Sequence, residues 1–178
     1  MSRVVRGRCW VFGDDVNTDV IFPQRYSHLT DPGEISKHAM EGITPGFSGK
    51  VESGDIVVAG RNFGCGSSME HAPIALREAG VGAVVAESFA RIFYRNAISL
   101  GLPVVELQDT DEFEQGDVLE ISLEEGELRN ATRGTLHVFR PLPGFLMEVL
   151  LAGGLIPHLN EKLATRGRAK PNIHNPRG

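Results

Sequence analysis

The residues best suited to chemistry lie in one stretch, Gly60-Arg61-Asn62-Phe63-Gly64-Cys65-Gly66-Ser67-Ser68-Met69-Glu70. The apolar run Ile56 to Ala59 before it reads as a buried strand, and Met69, Ala72, Leu76 and Ala79 after it recur at helical spacing. A strand, a glycine loop and a helix start can bind an anion, because glycines admit a ligand to the backbone and a helix end presents free N–H donors. Ser67 is expected where that helix begins. With Glu70 three positions on, it fits the capping box, which satisfies orphan N–H groups. Pattern alone ranks the structural cap above the anion site.

Other candidates are weaker. Asp14-Asp-Val-Asn-Thr-Asp19 is an acidic loop, but its spacing lacks the later glutamate of a calcium loop. His28 stands alone in the loop from Pro23 to Pro32, where a histidine is more often solvated than catalytic. Arg91 and Arg95 share a helix face and would suit a carboxylate, although such pairs are usually solvated or ion-paired. The chain has only two cysteines, Cys9 and Cys65, so no zinc or iron–sulfur cradle can come from it alone and any cluster must be held by another polypeptide.

The elements that position these residues follow from periodicity. Strands are expected over residues 3–12, Val20 to Phe22, 56–59, Gly82 to Ala86 and Pro103 to Leu107. Val118 to Leu123 and Thr135 to Phe139 read as antiparallel strands around a glutamate-rich turn. Helices are expected at Gly33 to Met40, from Ser67 onward, at Ser88 to Leu100 and at Pro141 to Leu151, where Gly153-Gly154 stops the last. Gly154 to Pro157 then reads as a surface crossing. One domain over residues 1–163 and a basic tail over 164–178, mobile or ordered only by a partner, complete the reading.

With 178 residues, 41% of them apolar, the chain supports a single α/β core without disulfides or metal. A net charge of -5 gives no general attraction to nucleic acid or anionic lipid. No apolar run is long enough to span a bilayer, and Met1 to Arg6 lacks the apolar core of a secretory signal, so a cytoplasmic location is expected.

The chain resembles the small subunits of 3-isopropylmalate dehydratase and homoaconitase, equivalent to the swivelling final domain of aconitase. The matching stretches are Phe12-Gly-Asp-Asp-Val-Asn-Thr-Asp19, Gly54 to Gly60, Asn62-Phe-Gly-Cys-Gly-Ser-Ser68 with Glu70-His-Ala72, Ser88 to Asn96 and Ala152-Gly-Gly-Leu155, in the family's order over roughly residues 5–155. The resemblance implies a three-layer swivelling β/β/α fold and reversible dehydration of a hydroxy di- or tricarboxylic acid. It further implies a separate large subunit carrying a [4Fe–4S] cluster. Ser67 matches the family's base, Ser68 helps bind substrate, and Gly64 and Gly66 let the backbone reach carboxylates.

Two departures bear on the substrate. The family usually has arginine where this chain has Met69, which has neither charge nor donors; losing such an ion pair costs about 2–5 kcal/mol for an unchanged substrate. Arg61, Arg91 and Arg95 are the nearest cations in sequence. Related subunits read the substrate's variable group with a short loop of the Tyr-Leu-Arg type, matched here by Tyr26-Ser27-His28-Leu29. The missing arginine argues against a distal carboxylate and favours an alkyl group beside Leu29. Isopropylmalate-type dehydration therefore ranks first, homoaconitase second and another alkylmalate third, with a non-catalytic module on a degenerate site as the alternative of a different class.

Overall fold

The computed structural model describes residues 3–168, and its organising element is strand β1 (Val4–Val11). β1 pairs in parallel with β2 (Ile56–Ala59) on one side and antiparallel with β5 (Val118–Ser122) on the other. Parallel pairing continues through β3 (Ala83–Ala86) to β4 (Val104–Glu106), and antiparallel pairing through β6 (Glu127–Asn130) to β7 (Thr135–Val138), giving the order β4-β3-β2-β1-β5-β6-β7. The helices are α1 (Thr18–Ile21), α2 (Pro32–Ser36), α3 (His71–Ala79), α4 (Arg91–Ser99), α5 (Gly144–Leu151) and α6 (Leu155–Arg168).

The central strands are apolar on both faces, as a strand covered on both sides must be. Val57, Ala59, Val84 and Ala86 face a core built with Leu76, Phe93 and Ala97 of α3 and α4. Their neighbours Ile56, Val58, Ala83 and Val85 face a second core with Leu119, Ile121 and Leu128 of the antiparallel strands. The sheet therefore curls over itself, and two β layers under one helical layer give the expected β/β/α architecture. Among the described residues no helix is long and apolar enough to cross a membrane.

Several local expectations are corrected. Val20 to Phe22 is not a strand: Asn17 caps a helical turn by accepting from the Val20 N–H at 2.9 Å, and Phe22 N–H bonds back to the Thr18 carbonyl. α2 ends at Ser36, short of Met40. The glutamate-rich turn contains a whole strand, β6, whose Leu128 and Asn130 point inward while its other positions are polar. Residues 155–157 open helix α6 instead of crossing the surface, and Pro157 sits in its first turn, where a missing N–H costs nothing. α6 runs past the expected boundary at residue 163, and tail residues 169–178 lie outside the described residues.

Asp117, 4% exposed, anchors the start of β5. Its Oδ2 accepts from Asn130 Nδ2 at 2.8 Å, Arg133 Nε at 2.8 Å and the Glu114 N–H at 3.1 Å. Burial pushes this carboxyl up, but the three bonds and the Arg133 charge outweigh it and hold it below its ordinary value. A folded-state pKa below the unfolded one adds stability above about pH 4, and that stability is lost as pH falls through the folded value. Asp117→Asn is expected to lower the melting temperature at pH 7, with the gap to wild type closing as pH drops below about 4. A gap independent of pH would mean that the charge plays no part.

Candidate active site

The sequence segments that carry chemistry meet at the carboxyl ends of β1, β2 and β3, where open parallel sheets bind ligands. The loop after β1 and the glycine loop after β2 run side by side. Gly60 N–H donates to Gly13, Asp15 N–H to Arg61, Gly64 N–H to Val16 and Thr18 N–H to Cys65, all at 2.8–3.0 Å. The loop after β3 joins them, with Ser88 Oγ accepting from Asn62 N–H at 2.8 Å and Phe63 exchanging bonds with Ser88 and Ala90. The acidic loop's carboxylates hold this frame: Asp14 accepts from the Arg61 N–H at 2.7 Å and Asp15 from Asn62 Nδ2 at 2.9 Å. The Arg61 backbone bond holds the Asp14 carboxyl below its ordinary value.

Ser67 lies in this frame with its side chain exposed. The helix after it starts three residues later than the capping box predicts, at His71 with Glu70 in the cap position, and Glu70 makes no side-chain cap bond. The cause is Pro73, which has no N–H to give the Met69 carbonyl, so the first helical bond runs from Ile74 to Glu70. Ser67 is thus not on the tip of α3. Its Oγ lies 3.0 Å from Thr18 Oγ1, its own N–H donates to the same Thr18 oxygen at 3.0 Å, and Met69 N–H approaches its Oγ at 3.4 Å. Gly66 leaves room for this contact, since a Cβ there would sit 3.2 Å from Thr18 Oγ1.

Gly64 is buried against Phe93, and an added Cβ would stand 2.2 Å from that ring. Ser68 is exposed, with its carbonyl accepting from Asn96 Nδ2 of α4 at 3.4 Å. Met69 is half-buried and packs on the helix-side core. Of the three nearby arginines, Arg61 is held by Asp14 at 3.4 Å and Glu87 at 3.9 Å. Arg91 and Arg95 are exposed on α4.

The Tyr26–Leu29 loop is anchored from both ends. Tyr26 donates to Glu41 Oε1 at 3.0 Å, stacks on His38 at 3.6 Å and lies under the Arg25 guanidinium, which itself reaches Glu41 at 2.7 Å. The bond from His38 at 2.6 Å, followed by those from Tyr26 and Arg25, holds the Glu41 carboxyl down. At the other end His71 Nε2 donates to the Leu29 carbonyl at 2.8 Å, its ring stacked on Phe22. His71 opens α3, two residues beyond Met69, so it ties this loop to the end of the glycine loop. Ser27 and His28 are exposed, and Leu29 packs on the same core as Met69.

Sequence reasoning missed Thr18, Glu41 and His71 as site residues. Thr18 and His71 stand inside the segments Phe12 to Asp19 and Glu70 to Ala72, which was the available signal; Glu41 had none. The chain's two thiols do not converge. Cys9 is buried on β1, where its Sγ–H donates to the Glu114 carbonyl at 2.9 Å, and burial with the nearby Asp117 charge pushes its pKa up to about 11. Cys65 sits on the glycine loop, raised by burial and Asp15. A three-thiolate cradle does not fit this chain, and among the described residues no group of three His, Cys, Asp or Glu side chains is placed to hold a metal.

A family model for the aconitase C-terminal domain matches residues 15–110, which contain the glycine loop, Thr18 and the Tyr26–Leu29 loop. The 3-isopropylmalate dehydratase small subunit 1 of Methanopyrus kandleri is 57% identical over 157 residues, covering 88% of this chain and 92% of the relative. The isopropylmalate/citramalate isomerase small subunit of Methanocaldococcus jannaschii is 52% identical over 165 residues, covering 92% and 98%. A crystal structure of a 3-isopropylmalate dehydratase from that organism matches with a TM-score of 0.90 at 43% identity, covering 94% of this chain and all of the other.

Proposed function

This chain belongs to the aconitase C-terminal domain family, and on that premise we propose that it is the small subunit of a two-subunit hydro-lyase of the 3-isopropylmalate dehydratase type. The pair isomerises 2- and 3-isopropylmalate by dehydration and rehydration, a step of leucine biosynthesis, in the cytoplasm. The observation that carries the reading is the exposed Ser67 hydroxyl at the junction of three interlocked loops, in a chain that matches small subunits over nearly its whole length.

Ser67 takes the proton from the carbon next to a carboxylate, and the C–H electron pair becomes the second bond of the alkene as hydroxide leaves the adjacent carbon. A [4Fe–4S] cluster on the large subunit supplies the Lewis acidity for that departure. Serine is a poor base in water, so its ionised form needs fixed donors and a site that the partner closes to solvent; the Met69 N–H is one such donor. The Ser68 hydroxyl and the exposed backbone at Gly66 hold substrate carboxylates; Gly64, expected to do the same, is buried and has already given its N–H to the Val16 carbonyl, so it serves the packing of the loop instead. Leu29 and Met69 pack on one apolar core and offer surface to an alkyl substituent, while Ser27, His28 and the anchored Tyr26 set the outer wall.

The citramalate activity in the name of one relative favours a second reading, in which a methyl group replaces the isopropyl. The assay that separates the readings uses the purified pair on isopropylmalates, citramalate and a homoaconitase-type tricarboxylic acid. Turnover is expected only with both subunits. Isopropyl should be preferred over methyl by about tenfold, at about 0.8 kcal/mol per buried methylene. Turnover by the small subunit alone, or preference for the tricarboxylic acid, would contradict the proposal.

A further inference from the structure

We infer that Thr18 is a positioning residue for the reaction: its hydroxyl donates to the Ser67 oxygen and stabilises that oxygen in its ionised form. The inference rests on the reading of Ser67 as the base. Thr18 is 3% exposed, so its hydroxyl must find its partners within the protein. Both of them belong to Ser67. The Ser67 N–H, which can only donate, gives its hydrogen to Thr18 Oγ1 at 3.0 Å, and Ser67 Oγ lies 3.0 Å from the same atom. Once Ser67 has lost its proton, Thr18 is the only member of the pair with a hydrogen left to donate.

A hydrogen bond to an anion is about twice as strong as one between neutral groups, and a hydroxyl already accepting a bond donates more strongly. The contact thus favours the ionised serine over the neutral one. The proton balance is simple. Hydrogen passes from substrate carbon to Ser67 Oγ, and Thr18 keeps its own proton throughout. The position of Thr18 is itself fixed: its N–H donates to the Cys65 carbonyl at 2.8 Å, and the Asn17 cap holds the turn that follows. No sequence pattern links the two residues, which stand 49 positions apart.

The test compares wild type, Thr18→Val, Thr18→Ser and Ser67→Ala in the assembled two-subunit enzyme, with substrate deuterated at the carbon that gives up its hydrogen. Thr18→Val should lower kcat about 10²-fold, the usual effect of losing one donor to an oxyanion, with KM within twofold. Its deuterium isotope effect on kcat should rise, and Thr18→Ser should restore most of the rate. Should Thr18→Val fail to assemble, Thr18→Cys, which differs from the rescuing Thr18→Ser only in its weak S–H donor, is expected to show the same loss. Wild-type kcat in Thr18→Val or Thr18→Cys beside an inactive Ser67→Ala overturns the role of Thr18 and leaves the base standing. A loss that serine does not restore, or one carried by KM, also overturns it. Wild-type turnover in Ser67→Ala removes the base itself, and this inference with it.

Discussion

Ser67→Ala in the assembled enzyme is expected to cut kcat by about 10³-fold or more, with KM little changed and the two subunits still associated. The reason for so large a loss is that no other side chain bonded to Ser67 can serve as a base. Thr18 is a buried hydroxyl, Met69 is a thioether, and the carboxylates that hold the frame, Asp14 and Asp15, are engaged by backbone and side-chain N–H groups at Arg61 and Asn62. The structural cost runs the other way and is small. Removing an exposed oxygen leaves Thr18 one partner short, worth about 1 kcal/mol where water can enter the space. A shift of a few degrees in the melting temperature beside a thousandfold loss of rate separates chemistry from folding.

Gly64→Ala is expected to destabilise the subunit by about 2–5 kcal/mol, the sum of a left-handed backbone penalty and overpacking. At Gly64 φ is +80°, and the new Cβ would lie 2.2 Å from Cγ and 2.4 Å from Cβ of Phe93. Those atoms sit at the base of a buried ring that also packs edge-on against Phe63, so the side chain has no easy way to give. Gly134→Ala is the control. Its φ is +74°, but nothing lies within 4 Å of the added carbon, so only the backbone penalty of about 1–2 kcal/mol applies. Urea denaturation of the two variants measures the difference directly; equal losses would show that the packing at Gly64 contributes nothing. A loss of this size takes a large part of a typical domain's stability, and the loop that carries Ser67 would loosen first.

How much of this was legible in the sequence depended on whether the deciding contact was local. β2 was read to the residue because four consecutive apolar side chains between turn signals have one economical explanation, a strand covered on both faces. Val20-Ile21-Phe22 looked equally strand-like, yet the Asn17 cap and the bond from Thr18 to Cys65, 47 positions away, decided for a helical turn. β6 was missed because only two of its four side chains point inward, and one of them is an asparagine satisfied by Asp117. The late start of α3 was readable in principle, because a proline two residues after His71 has no N–H for the Met69 carbonyl and so interrupts any helix begun at Ser67.

The site divides along the same line. Ser67, Ser68 and the two glycines were legible because they share one loop, and the resemblance to known small subunits named their roles. Thr18, Glu41 and His71 act through folded contacts with residues 49, 15 and 42 positions away, which no spacing rule reaches. The expectation that Ser67 stands at the start of the α3 helix, among its free N–H donors, gives way to a narrower one, a hydroxyl and one backbone N–H aimed at the same oxygen.

The most direct measurement is the rate at which deuterium leaves the labelled carbon of the substrate in the assembled pair, followed by proton NMR for wild type and Ser67→Ala. Loss of the label at the rate of dehydration in wild type, and no detectable loss in a Ser67→Ala pair that still binds substrate, is the predicted result. Label lost at an undiminished rate from the alanine variant would contradict the account, because some group other than the Ser67 oxygen would then be removing the hydrogen.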